Sequence, residues 1–303
     1  MVTAARGYVA GKYGIELAGA PAGWVQSIEG GHAFSDVVNE KLGPDHIIHK
    51  HIAGVKYEDI TISCGTGMTK PFYEWIKASF ERKNDRKDGA VVAADYSYNE
   101  ISRMTFTHAL ISEIGFPALD ASSKDAARMT IKIMPEFTRT TKGSGKQFGK
   151  IDTKIQKKWL PSNFRLKIDG LDCTRVNKID AIVVKQNVVD NPVGELRDYE
   201  KEPAHLEIPN LGITLAESQA ESWYKWHEDF VIKGDNGEDK EKRGTLEYLT
   251  PDLKESLFTI TFLNAGIFKL DLEKVQTGTD AIRRLKAELY VQDMKFEYHA
   301  AWA

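Results

Sequence analysis

"WYKW" at residues 223–226 repeats the aromatic pattern of "FYEW" at residues 72–75, 151 positions earlier. Tryptophan occurs six times in the 303 residues, so two of them, Trp75 and Trp226, at matching places in the clusters call for a common origin. Holding that offset fixed brings other stretches into line, as an internal repeat requires. Phe72, Tyr73 and Trp75 fall on Trp223, Tyr224 and Trp226, and Ile62 of "DITIS" falls on Ile213 of "LGITL". Gly115, Leu119 and Asp120 of "IGFPALD" fall on Gly266, Leu270 and Asp271 of "AGIFKLD". After a shift of four residues "DAAR" at 125–128 meets "DAIR" at 280–283, and "VQSIEG" at 25–30 resembles "RVNKID" at 175–180. Matches kept in this order mean two diverged, full-length copies of one domain.

The period of the apolar residues says what that domain is. Phe72, Trp75, Ile76, Ser79 and Phe80 recur at three- and four-residue spacing, as do Ala216, Ala220, Trp223, Trp226 and Phe230. Each copy therefore has one amphipathic helix, with Phe72, Tyr73, Trp75, Trp223, Tyr224 and Trp226 expected to pack its core face. Thr214 with Glu217 reads as a capping box, and Pro71 suits a first helical turn. Elsewhere the period is two: Phe164, Leu166 and Ile168 alternate with Arg165 and Lys167, and Phe258, Ile260 and Phe262 with Thr259 and Thr261. The last strand changes face from Leu289 and Val291 to Met294, Phe296 and Tyr298, which suggests a bulge near Gln292–Asp293. One helix covers only part of such a sheet, so the strands must fold over as a sandwich or barrel. The expected fold class is mainly β with one helix per repeat (α+β), as two tandem β-sandwich or barrel domains at 1–137 and 161–303 with a basic linker at 138–160.

Composition bounds the function. A chain that is 42% hydrophobic and 28% charged can bury real cores, and a net charge of −3 argues against wholesale binding to a nucleic-acid backbone. No apolar run reaches the roughly 18–20 residues that cross a bilayer, and "MVTAARGYVAGKYG" lacks the hydrophobic stretch of a secretory signal, so a cytoplasmic fold is expected. Cys64 and Cys173 fall in no metal or redox spacing. In "TRTTKGSGKQFGKIDTKIQKKW" (138–159) seven Lys or Arg face a single Asp. Lys142, Lys146, Lys150 and Lys154 are there candidate contacts to an acidic neighbour; a solvated linker with a strand or helical turn near Ile151 and Ile155 has equal standing. "KGSGK" lacks phosphate-loop spacing. The loops "ERKNDRKDG" (81–89) and "KGDNGEDKEKRG" (233–244) offer Lys83, Asp85, Arg86, Lys87, Asp235, Glu238, Lys240 and Lys242 as assembly contacts, or else as plain hairpin tips.

His46, His49 and His51 near Asp45 suggest a metal site, but His46 would face away from the other two and Lys50 repels a cation. No nucleophile elbow, zincin helix or partnered carboxylate pair stands out. The expectation is no enzyme, no catalytic or metal residues and no cofactor. A carbohydrate-binding sandwich that stacks sugars on Phe72, Trp75, Trp223 and Trp226 is the reading from another class.

"HIAGVKYEDITISCGTGMTKPFYEWI" (51–76) resembles the core motif of the tail-tube proteins of contractile phages and their injection-system relatives. "LGITLAESQAESWYKW" (211–226) and "FTITFLNAGIFKLDLEKV" (258–275) are similar to the other half of that motif, and the resemblance spans roughly 14–138 and 163–298. The first copy has "HALI" where the second has the better-matching "TFLNAG". The resemblance implies a tube-like sandwich domain, six of which close into a ring whose stacked copies form a hollow conduit for DNA or an effector. Three chains with two domains each would make one pseudo-sixfold ring, and six chains two layers or a ring with an outer decoration. The implied protein is a structural subunit of the tail tube of a contractile phage or injection system, assembled in a bacterial cytoplasm; a tube-end initiator, hub or terminator is the alternative. Its implied partners are further copies of itself and sheath, baseplate or terminator proteins, with cargo passing through unbound and no membrane insertion.

Overall fold

The computed structural model describes residues 11–41, 43, 47–149, 159–192, 198–273 and 282–299. The first copy runs β1 (Lys12–Leu17), β2 (Ala20–Val25), β3 (Ser27–Gly30), β4 (Ala33–Glu40), β5 (His49–Tyr57), β6 (Ile60–Cys64), α1 (Lys70–Phe80), β7 (Lys87–Ala94), β8 (Glu100–Phe116), β9 (Leu119–Asp120), β10 (Met129–Met134) and β11 (Phe137–Lys142). The second runs β12 (Phe164–Ile168), β13 (Val176–Ile179), β14 (Ile182–Asn191), β15 (Glu200–Glu207), β16 (Leu211–Ala216), α2 (Glu221–His227), β17 (Lys242–Leu249), β18 (Ser256–Leu272) and β19 (Arg284–Tyr298). The protein is mainly β, and its two halves share one strand order. In space the first copy reads β1-β7-β8-β10-β6-β3 and the second β12-β17-β18-β19-β16-β13. In the second copy β19 fills the places of β10 and β11, which pair successive parts of β8. The first copy adds β2 along the outer edge of β1.

Strand registers fix the equivalences. Ile62 stands opposite Ile28 as Ile213 stands opposite Ile179, an offset of 151. The hairpins agree in detail: Ser35 faces Val55 and Val37 faces Ile52, just as Gln186 faces Leu206 and Val188 faces Pro203, with the same irregularity between. In the long strands the offset is 156, because Phe106 opposes Gly89 and Phe262 opposes Gly244. "TFTHALI" (105–111) is thus the counterpart of "TFLNAGI" (261–267), and the match of Gly115, Leu119 and Asp120 to Gly266, Leu270 and Asp271 does not hold. The second copy is four residues longer before β17 and one longer in the β17–β18 turn.

Each long strand changes its core face halfway: Phe106 gives way to Ala109 and Ile111, and Phe262 to Ala265 and Ile267. Between them His108 and Asn264 take φ of +47° and +53°, in the left-handed region that Asn and His tolerate better than most side chains. The β18–β19 register is unbroken there, from Leu263 opposite Asp293 to Ala265 opposite Val291. The expected bulge at Gln292–Asp293 is therefore absent; both strands turn over together, and the register shift falls at Ile267/Lys269 instead. This turn carries β8 from its pairing with β7 and β11 to its pairing with β10, folding the sheet over its own core.

Helix α1 has Pro71 in its first turn and buries Phe72, Tyr73, Trp75, Ile76 and Phe80. The Trp75 indole N–H donates to the Asp85 carbonyl at 2.7 Å. The second helix is shorter than its apolar period predicts. Thr214 is a buried ladder residue of β16 opposite Lys286, so the expected capping box does not form. A 3-10 turn at Glu217–Gln219 intervenes, α2 starts from Ala220, and a π-helical turn at Glu228–Ile232 brings Phe230 into the core.

The basic stretch 138–160 is packed at both ends. Its first residues complete β11, and Phe148 is buried edge-on to Trp24 at 5.4 Å. Trp159 packs edge-on to Tyr248 and Phe258 at 5.6 and 5.1 Å. Lys142 and Lys146 are exposed, whereas Lys150, Lys154, Ile151 and Ile155 lie outside the described residues.

Candidate assembly interface

A strand at the border of a sheet offers unpaired N–H and C=O groups, and each copy satisfies those of the other. Ile182–Lys185 of β14 add antiparallel to Phe116–Glu113 of β8, so the second hairpin extends the first sheet. In return Leu119 and Asp120 of β9 pair with Ile179 and Lys178 of β13, extending the second sheet. The Lys178 ammonium lies 3.3 Å from the Asp120 carboxylate, which Ser122 and Lys178 together hold below the usual carboxylate range.

Aromatic side chains seal the joint. Tyr73 of α1 stacks on Tyr298 at 5.3 Å, and Phe80 on Phe296 at 5.7 Å. Phe116, at the end of β8, enters the second core between Tyr248, Phe258 and Phe296 at 5.8, 5.8 and 5.9 Å. Burial pushes the Tyr248 phenol far above its ordinary pKa, so it stays neutral.

Polar contacts set the register. The Arg86 guanidinium donates to the Lys201 carbonyl at 2.7 Å, and the buried Glu136 carboxylate accepts the Lys201 N–H at 3.3 Å. Glu136 also meets the His108 ring at 2.9 Å, and Arg82 bonds Asp293 at 2.9 Å. Of the first predicted loop, Arg86 reaches the other copy, as does Arg82, which was not among the predicted contacts. Lys83 pairs with Glu81 at 2.6 Å and Lys87 with Asp85 at 3.0 Å, so those contacts stay local. Asp235, Glu238 and Lys240 are exposed, with Lys240 3.0 Å from Asp239. Lys242 donates to the Asp169 carbonyl at 2.9 Å and lies 5.3 Å from the Trp226 ring centre. Sequence reasoning missed Phe116, Glu136 and Arg82, and placed Phe296 and Tyr298 on the apolar face of the last strand without the joint they seal. Aligning the long strands at the 156 offset is the signal that would have drawn attention to Phe116, through its counterpart Leu272.

The same positions on the far side of the second copy are uncovered. Tyr73, Phe80 and Phe116 are 0%, 2% and 1% exposed, while their counterparts Tyr224, Val231 and Leu272 are 42%, 42% and 51% exposed. The expectation that Tyr224 packs a core is therefore corrected. Trp223 and Trp226 define the inward face of α2, and Tyr224 projects to one side, without a ring stacked on it among the described residues as Tyr298 is on Tyr73. Among the described residues β4 and β5 pair only with each other, and Lys269–Leu272 of β18 pair only with β19.

His49 and His51 lie exposed on β5, with His51 3.7 Å from Glu40; His46 and Asp45 lie outside the described residues. Cys64 is buried and its thiol is pushed up to about 12 by desolvation. Phe72, Trp75, Trp223 and Trp226 are all buried, so the four rings named for sugar stacking present no face to a ligand. No helix among the described residues is long and apolar enough to cross a membrane.

Residues 9–137 match the family model of the T4-like virus tail tube protein gp19. Three solved structures are similar in part. A chain of the anti-feeding prophage tube-terminating cap is 18% identical, with 47% of this chain and 96% of that one covered at a TM-score of 0.41. A chain of the extended PVC sheath-tube complex, an extracellular contractile injection system, is 17% identical, with 45% and 93% covered at 0.40. Hcp1 from Flavobacterium johnsoniae is 17% identical, with 46% and 99% covered at 0.28. No curated protein matches the chain.

Proposed function

We propose that this protein is a structural subunit of the tail tube of a contractile phage tail or injection system, in which each chain supplies two neighbouring domains of a ring. The single observation that carries the reading is the pairing of β14 with β8, by which one tube-like copy extends the sheet of the next inside one polypeptide. The family match over residues 9–137 points the same way. Two copies already side by side make three chains the natural complement of a sixfold ring, each step around it continuing the same sheet.

The mechanism is geometric. Main-chain hydrogen bonds between border strands orient the subunits, aromatic packing holds them, and no bond is made or broken. Cargo passes through a bore that does not bind it, and sheath or baseplate proteins engage the outer and end surfaces. The reading assigns no catalytic residue, metal or cofactor. Negative-stain micrographs of the purified protein are expected to show hollow rings, singly or stacked; the length of the stacks separates a shaft component from a tube-end hub or terminator. A compact monomer that persists at high concentration overturns the proposal.

A further inference from the structure

The pairing of β14 with β8 and the polar grip on Lys201 have counterpart positions on the outward sides of the chain. The β8 edge at Glu113–Phe116, occupied by Ile182–Lys185, corresponds to the open β18 edge at Lys269–Leu272. At the 151 offset of the hairpins, the occupying segment corresponds to Gly31–Phe34 at the start of β4. Arg86 and Glu136 grip the backbone of Lys201; their counterparts are Glu241 and Gln292, and the counterpart of Lys201 is Lys50. Gln292 donates to Glu241 at 3.0 Å and the Tyr290 hydroxyl donates to it at 2.7 Å, so this pair is already assembled without its strand. Donor and acceptor have changed places: in the joint an arginine donates and a carboxylate accepts, whereas here the amide of Gln292 can donate to a backbone carbonyl and Glu241 can accept the N–H.

We propose that the β18 edge, the outer face of α2 and the Glu241–Gln292 pair form one socket for the β4–β5 hairpin and β11 of a second copy of this chain. Gly31 then stands opposite Leu272, and Phe34 opposite Lys269. Tyr224, Val231 and Leu272 are the apolar surface that this neighbour covers, and Val37 and Ile52 of the incoming hairpin are themselves exposed. The receiving side differs from that of the joint. Where Tyr248, Phe258 and Phe296 surround Phe116, the first copy presents Ala93, Ser102 and Thr140 to Leu272. The seam between chains is therefore the weaker of the two and forms by mass action. The seam follows from the repeat alone; the count of three chains that closes it rests on the ring reading above.

Two double-cysteine variants in a Cys173→Ser background test this. Directly opposed strand residues have Cα atoms about 4.5–5.5 Å apart, and a disulfide spans about 4.4–6.8 Å. Glu113→Cys with Lys185→Cys samples the joint and is expected to form its disulfide within one chain. Phe34→Cys with Lys269→Cys samples the seam, and oxidation is expected to link chains covalently up to a trimer on a non-reducing gel. Adding Tyr224→Asp is expected to weaken chain association about tenfold, read as the concentration needed for linking, without moving the unfolding curve. Chains that stay unlinked at concentrations where wild-type rings are visible overturn the seam and leave the ring reading standing. Linked chains with no ring in micrographs support the seam and overturn the ring reading. Unlinked chains with no ring overturn both.

Discussion

Tyr73 and Tyr224 hold the same place in the repeat, yet one is stacked on Tyr298 and fully buried while the other is 42% exposed. The difference lies not in the helices that carry them but in what the chain provides next door. The first helix finds β19 of the second copy against it; among the described residues nothing takes that place against the second helix. Duplication has turned one intermolecular contact into an intramolecular one and left its twin on the surface. Once joined covalently, the inner contact was free to become part of the folding core, and Phe116 among Tyr248, Phe258 and Phe296 is such a core. The outer one, in the proposed seam, forms between separate molecules, and its receiving side is smaller and more polar.

The sharpest way to break this comparison is to truncate both members of one pair. Phe116→Ala leaves a cavity where the two cores meet and is expected to cost about 3–5 kcal/mol. Leu272→Ala removes an exposed side chain and is expected to change monomer stability by less than about 0.5 kcal/mol. Urea unfolding of each variant, at concentrations low enough to keep chains apart, measures the contrast. Equal losses would mean that the joint is a surface contact between independently stable domains.

A smaller contrast lies in the polar grip. Glu136 is buried and accepts from His108 and from the backbone of Lys201, so Glu136→Ala is expected to cost about 1.5–3 kcal/mol. Its counterpart Gln292 is exposed and bonds only Glu241 among the described residues, so Gln292→Ala is expected to stay within about 0.5 kcal/mol for the monomer. A chain in which Gln292→Ala unfolds as readily as Glu136→Ala would show that the outer socket already serves the fold.

Much of this architecture was legible because repetition is visible without any structure: the aromatic clusters at 72–75 and 223–226 marked the helices, and period-two runs marked strands such as β12 and β18. The long-strand equivalence was misread because Gly, Leu and Asp recur by chance at the helix offset, whereas four extra residues before β17 and one in the β17–β18 turn together move the true register by five. The capping box at Thr214 failed for a different reason: a threonine three residues before a glutamate suits a strand end as well as a helix start, and the ladder with β19 decided. The face change in the last strand was readable, but its cause was not, since a left-handed residue sits in the partner strand at Asn264. Burial of Tyr73 and exposure of Tyr224 could not be told apart in sequence, because the deciding neighbour of Tyr73 is 225 residues away and Tyr224 has none like it among the described residues.

The smallest expected effect concerns protons, and it too divides the copies. In the first, Arg103 donates to Glu100 at 2.8 Å and to Glu16 at 2.8 and 3.0 Å. At the counterpart positions of Glu100 and Arg103 the second copy has Ser256 and Thr259, whose hydroxyls lie 3.3 Å apart and carry no charge. The Arg103 guanidinium is the main influence holding Glu100 below its ordinary value of 4.5. A carboxylate whose pKa is lower in the folded than in the unfolded state binds fewer protons when folded, so its stabilisation is present above about pH 4.5 and is lost as pH falls through the folded value. Glu100→Gln is therefore expected to lower stability by about 0.5–1 kcal/mol at neutral pH, while flattening the acid limb of the curve below pH 4.5. Ser256→Ala should leave the slope of that limb unchanged. Thermal unfolding across pH 3–7 distinguishes them, and a Glu100→Gln variant that keeps the wild-type acid slope would remove the charged triad from the account of how the two copies came to differ.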